Sequence, residues 1–137
     1  MSSPQPQVVL ADDDAHITCV VAMRLEGAGY SVSIARDGEE ALELVRSVRP
    51  ALLITDLQMP RMSGLELALQ MRTDPTVASI PVIMLTARGY LADDSKLSQT
   101  NIRRILAKPF SAREVLKLAA DVIAESSQNG AGGALAA

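Results

Sequence analysis

Leu52-Leu53-Ile54-Thr55-Asp56 is a short, mainly apolar run that ends on an acid. Such a run is too brief for a helix and suits a strand buried on both faces, as in parallel sheets. Other runs repeat the pattern. Val8-Val9-Leu10 leads into Asp12 and Asp13, Val82-Ile83-Met84-Leu85 into Thr86, and Ile105-Leu106 into Lys108. Strand ends on one edge of a parallel sheet are where α/β proteins gather their binding groups. The order of the runs therefore predicts one pocket holding three acids, a hydroxyl and an amine.

Between these runs lie longer stretches of helical period, the alternation expected of βαβ units. The pattern predicts strands near Val8–Ala11, Ser31–Ala35, Ala51–Asp56, Pro81–Thr86 and Arg104–Ala107. It predicts helices near Ala15–Ala28, Gly38–Ser47, Gly64–Arg72, Leu91–Ser98 and Ala112–Glu125, the fourth poor in apolar residues. Ser63-Gly-Leu-Glu66 and Ser111-Ala-Arg-Glu114 read as capping boxes, in which hydroxyl and carboxylate satisfy orphan amides reciprocally. Phe110 and Val115 are placed to form the hydrophobic staple of the last helix. Asp14 and Asp37 are natural N-caps. In the last helix Val115, Leu118, Ala119, Val122 and Ile123 form one stripe for a sheet.

The chain has 137 residues, enough for one domain that buries about two-thirds of its unfolded surface. Residues 1–6 are expected to be disordered, 7–125 to form the folded unit, and 126–137 to be a flexible tail of linker composition. No apolar run reaches the ~20 residues that span a bilayer, and no secretory leader is evident. A net charge of −3 and 2% aromatic residues give neither a basic footprint nor a stacking platform for nucleic acid. The single cysteine, Cys19, falls in a helical pattern and reads as a buried structural thiol in a reducing cytoplasm.

The chemistry follows from the residue types. Magnesium takes oxygen ligands, keeps several waters, and uses one or two carboxylates plus a phosphate oxygen. Asp13 and Asp56 can supply direct oxygens, and Asp12 can hold a bound water. Three close carboxylates repel one another, and a divalent cation relieves that repulsion. With the cation present, the Asp56 carboxylate can attack phosphorus and form an acyl phosphate. Lys108 offers a point charge for another phosphoryl oxygen, and Thr86 a hydroxyl donor. His16 reads as a solvated first-turn residue, Met59 and Met62 as packing residues, and Asp93 and Asp94 as a solvated helix face.

In these features the sequence resembles the receiver domain of two-component response regulators. The resemblance spans about residues 7–125 and is carried by residues 8–14, Leu53-Ile-Thr-Asp-Leu-Gln-Met-Pro-Arg-Met-Ser-Gly64, Val82-Ile-Met-Leu-Thr-Ala87 and Leu106-Ala-Lys-Pro-Phe110. It implies a flavodoxin-like, doubly wound five-stranded parallel sheet of order 2-1-3-4-5 with five helices. It implies that Asp56 is the phosphoacceptor, Asp12 and Asp13 the acidic pair, Thr86 the switch hydroxyl and Lys108 the family's lysine. The Gln58 backbone carbonyl would complete the Mg2+ ligands, and the Lys108–Pro109 peptide would be cis. A sensor histidine kinase or histidine phosphotransfer protein would donate the phosphoryl group, which switches a surface read by a downstream protein. The implied role is a signalling domain with slow self-dephosphorylation rather than an enzyme, monomeric or weakly dimerising on phosphorylation, without contact to nucleic acid or membrane. Gln58 and Arg88 occupy positions that tune dephosphorylation. One position departs: an aromatic usually stands three residues before the lysine, and Ile105 stands there instead.

The starting Met and the lack of an output domain lead to the expectation of a stand-alone regulator, with a piece of a longer regulator or hybrid kinase as the alternative. A phosphorylation-independent interaction module is a rival reading. An aspartate-nucleophile hydrolase would need an acid two residues beyond the nucleophile, where Gln58 stands. A flavodoxin would need a Ser/Thr/Gly-rich phosphate cradle in the first loop, where acids stand.

Overall fold

The computed structural model describes residues 5–87 and 94–136. Five parallel strands, β1 (Gln7–Ala11), β2 (Ser31–Ala35), β3 (Leu52–Asp56), β4 (Val82–Thr86) and β5 (Ile102–Ala107), form one sheet in the order β2-β1-β3-β4-β5. Every residue of β3 and β4 is buried, which is why those strands are continuous apolar runs rather than alternating ones. Five helices alternate with the strands among the described residues: α1 (Ala15–Gly27), α2 (Gly38–Val48), α3 (Gly64–Arg72), α4 (Asp94–Leu97) and α5 (Ala112–Ala136).

Successive side chains of a strand point to opposite faces, and two cores result. Val8, Leu10, Leu52, Ile54, Ile83 and Leu85 pack with Val21 and Leu25 of α1 and Val115, Ala119 and Val122 of α5. Val9, Ala11, Leu53 and Val82 pack on the other face with Ala41 and Val45 of α2 and Leu67 and Met71 of α3. Each fully buried Leu, Ile or Val contributes about 1.5–3 kcal/mol by leaving water, so both faces stabilise the central strands.

The helix starts form as the sequence predicts. The Asp14 side chain accepts from the His16 and Ile17 amides, and Asp37 accepts from the Glu40 amide. Both capping boxes close: Glu66 N–H donates to Ser63 Oγ at 3.1 Å while Ser63 N–H donates to Glu66 Oε1, and Ser111 and Glu114 repeat the exchange. Phe110 and Val115 join the same core.

Three expectations need correction. Cys19 is exposed, because Thr18, Val21, Ala22 and Leu25 form the buried stripe of α1 and residue 19 lies about 100° around the helix from Thr18. β5 starts at Ile102 rather than Arg104, and a register shift between Val82 and Ile83 leaves Arg103 without a partner in the ladder. A bulge of this kind lets an Arg-rich segment join a sheet edge. α5 continues past Glu125 to Ala136, so the tail over 126–137 is helical backbone up to that residue. Propagation adds one hydrogen bond per residue once a helix is nucleated, and alanines favour it. The fourth helix covers Asp94–Leu97; its predicted start at Leu91, with Arg88, Asp93, residues 1–4 of the N-terminal segment and Ala137, lies outside the described residues. No helix among the described residues is long and apolar enough to cross a membrane.

Candidate functional site

Sheet register assembles the site. Ala11 pairs with Thr55, so Asp12 and Asp56 follow as neighbours at the point where the chain switches sides of β1. Asp56 pairs with Leu85, which places Thr86 at the same edge. Thr86 pairs with Ala107, and the Lys108 amide donates to the Thr86 carbonyl at 2.8 Å. The backbone of β4 thus delivers the lysine to the pocket. The Lys108–Pro109 peptide is cis.

Carboxylate oxygens of Asp12, Asp13 and Asp56 lie within 4.8 Å of one another. Lys108 Nζ stands 3.4 Å from Asp56 Oδ1 and 3.7 Å from Asp12 Oδ2. Asp12, Asp56 and Thr86 are buried, at 0%, 6% and 1% exposure, while Asp13 is exposed at the rim. Asp12 Oδ1 accepts from the Asp14 amide at 2.9 Å. Asp12 Oδ2 is buried without a hydrogen-bond partner. An orphaned carboxylate oxygen beside two further carboxylates is a set of hard oxygen donors that suits a divalent cation. The residues fit magnesium.

The electrostatics agree. Burial pushes the Asp12 carboxyl up from 3.8 to about 6; the charges of Asp56 and Asp13 add to the rise, and the Asp14 amide and Lys108 oppose it. Burial also raises Asp56, against the charge and hydrogen bond of Lys108 and the Leu57 amide. Burial thus disfavours the ionised form of both carboxylates beyond what Lys108 offsets, and a further cation would compensate.

A cavity of about 670 Å³ opens beside Asp56, lined by Asp13, Leu57, Gln58, Met59, Pro60 and Ser63. Thr55 Oγ1 reaches Met59 Sδ at 3.8 Å, so Met59 packs over the strand end as the sequence predicts for a packing residue.

A search for related sequences matches the family model "Response regulator receiver domain" over residues 8–120. The chain belongs to that family. The receiver domain is 36% identical over 111 residues to the DNA-binding dual master transcriptional regulator RpaA of Synechocystis, covering 81% of this chain and 46% of that protein. It is 40% identical over 113 residues to the sensor histidine kinase TmoS of Ectopseudomonas mendocina, covering 82% of this chain and 12% of that one. The receiver thus spans less than half the length of these curated relatives. Among solved structures, the chemotaxis response regulator CheY4 of Vibrio cholerae superposes with a TM-score of 0.79 at 30% identity, covering 86% of this chain and 98% of that chain. The receiver domain of Francisella response regulator 1452 gives 0.77 at 28% identity, with 89% and 99% coverage. The two-component class and the flavodoxin-like architecture both stand.

The structure brings together Asp12, Asp13, Asp56 and Lys108 by side chain, and Thr86 and Gln58 by position at the same edge. Two contributors went unread in the sequence. Gly38 and Gly64 looked like ordinary helix starts. A Cβ on Gly64 would fall 2.3 Å from the Asp56 carbonyl oxygen, and one on Gly38 2.3 Å from the Met62 carbonyl oxygen. The available signal was a glycine directly after a capping residue, where conformation does not demand one.

Proposed function

We propose that residues 7–125 form a magnesium-dependent phosphoacceptor that takes a phosphoryl group from a partner phosphohistidine onto Asp56. The approach of three carboxylates and one ammonium at the end of β3 carries this reading. Asp13 and Asp56 would hold the Mg2+ directly, with the Gln58 carbonyl, and Asp12 would hold it through water. When bound, the ion neutralises phosphoryl oxygens and screens the incoming donor from the acid cluster.

The residues of the chain divide the remaining work. An Asp56 oxygen attacks phosphorus, the new O–P bond forms as the donor N–P bond breaks, and the imidazole leaves with the electron pair and takes up a proton. Burial keeps the Asp56 carboxylate poorly solvated, and Lys108 holds it ionised. Lys108 then faces a group carrying about −1.5 to −2 charge. Thr86, buried at the next strand end, is the hydroxyl that would follow the new oxygens. Such transfers rest on positioning and charge neutralisation, and no second acid is present at Gln58 to drive turnover of an external ester. A signalling role rather than an enzymatic one follows.

The partners that fit are proteins. α1 begins beside the acid cluster and exposes Val20 at 42% and Met23 at 67%, apolar side chains that a donor protein can cover. A net charge of −3 disfavours direct contact with nucleic acid; the DNA binding named for the Synechocystis relative is that protein's. Incubation with acetyl phosphate should add one phosphoryl mass to the wild type only when Mg2+ is present. Asp56→Asn should stay unlabelled, and an equally labelled variant would refute the assignment.

A further inference from the structure

Gly38 opens α2, and its backbone is not among the positive-φ residues, so conformation does not require glycine there. Space does. A Cβ at this position would lie 2.3 Å from the Met62 carbonyl oxygen, 2.5 Å from Met62 Cβ and 2.9 Å from the Met62 carbonyl carbon. Two of those atoms are backbone, so no rotamer change relieves the clash. Restoring the 3.0 Å that real Cβ contacts respect would shift the Met62 backbone by about 0.7 Å.

Met62 ends a tight turn. Its N–H donates to the Pro60 carbonyl at 2.8 Å across Arg61, whose φ is 72. A three-residue turn with its centre at positive φ is the rare, strained form of the γ-turn, and such strain persists only where surroundings hold it. α2 supplies the hold. Gly38 seats against Met62, and the Arg61 guanidinium stands 3.7 Å from both Asp37 Oδ2 and Glu39 Oε2, the residues flanking that glycine. Leu57, Gln58, Met59, Pro60 and Ser63, on either side of the clamped Arg61 and Met62, line the cavity beside Asp56.

We infer that Gly38 is a positioning residue for the magnesium site: its bare backbone lets α2 fix the 60–62 turn, and through it the Gln58 side of the pocket. This rests on the phosphoacceptor reading above. A displacement of this size at a reacting site is costly, since about 1 Å of misplacement loses about 10²-fold in rate. Groups that orient metal ligands from outside the coordination sphere typically govern 10–100-fold in affinity.

The test is a calorimetric titration of the full chain with Mg2+ alone, on wild type, Gly38→Ala and Val45→Ala. Val45→Ala loosens α2 from the core while adding no Cβ at Gly38, and so controls for lost stability. Gly38→Ala should bind Mg2+ about tenfold more weakly while folded, with amide resonances of residues 57–63 displaced in its NMR spectrum before any metal is added. Val45→Ala should keep wild-type affinity. Wild-type affinity in folded Gly38→Ala, or an equal loss in Val45→Ala, would overturn the inference. If Gly38→Ala does not fold, Met62→Gly decides: about threefold weaker binding supports the clamp, and unchanged binding overturns it. Absence of Mg2+ binding by the wild type would instead remove the phosphoacceptor reading together with this one.

Discussion

Lys108 Nζ stands 3.4 Å from Asp56 Oδ1, held there because the Lys108 amide is tied to the Thr86 carbonyl. The pair is asymmetric: the lysine head is partly solvated, and the aspartate is nearly buried. Removing the cation therefore costs the carboxylate more than the reverse. Lys108→Ala should raise the Asp56 pKa further, since the charge and hydrogen bond that lower it are lost. It should also destabilise the metal-free fold by about 1–3 kcal/mol at neutral pH. Carboxyl-carbon NMR titration and urea unfolding in a chelator check both; an unmoved Asp56 titration would contradict the coupling.

Stability should fall as pH rises from about 4 to about 6 when metal is absent. Asp12 titrates near 6 in the folded chain against 3.8 ordinarily. Across that window the native state holds the proton that the unfolded state has released, so lowering the pH favours folding. The gap between 3.8 and about 6 corresponds to at most about 3 kcal/mol, and the raised Asp56 adds in the same direction. Saturating Mg2+ should reverse the trend above pH 6, adding about 2.7 kcal/mol at a hundred times its dissociation constant. Melting temperatures across pH with chelator and with Mg2+ measure this; a metal-free curve that rises through the window would contradict it.

Ser63→Ala should cost about 1 kcal/mol by opening the capping box at the start of α3. The Glu66 amide would lose Ser63 Oγ as its acceptor, and the helix would keep Gly64 and Leu67 in place. Denaturant midpoints of wild type and variant give the difference. A loss below a few tenths of a kcal/mol would mean that solvent replaces the cap.

Cys19 should react with a thiol reagent in the native protein without prior unfolding, since it is exposed on α1. Protection released only on unfolding would contradict its placement.

How much of this could be read beforehand depended on burial. β3 and β4 are buried throughout, so their sequences carry the unbroken apolar signal that fixed five strands and their order by resemblance. β5 lies at an edge, takes two arginines and a register shift, and its start was misread for that reason. Cys19 misled because α1 is apolar on its solvent side as well: Val20 and Met23 hide which face is the core. The carboxylates and the lysine were legible, since each follows a strand and register brings strand ends together. The clamp on the 60–62 turn was not. It depends on the meeting of Gly38 with Met62, which no local pattern records, and on a positive φ at Arg61, a residue type with no preference for it.

Borohydride reduction of the phosphorylated chain, followed by peptide mass spectrometry, tests the central claim most directly. Hydride cleaves an acyl phosphate and leaves homoserine where the aspartyl phosphate stood. Homoserine at position 56, formed only after treatment with Mg2+ and acetyl phosphate, is the expected result. Homoserine at Asp12 or Asp13, or none anywhere in a phosphorylated sample, would contradict the account.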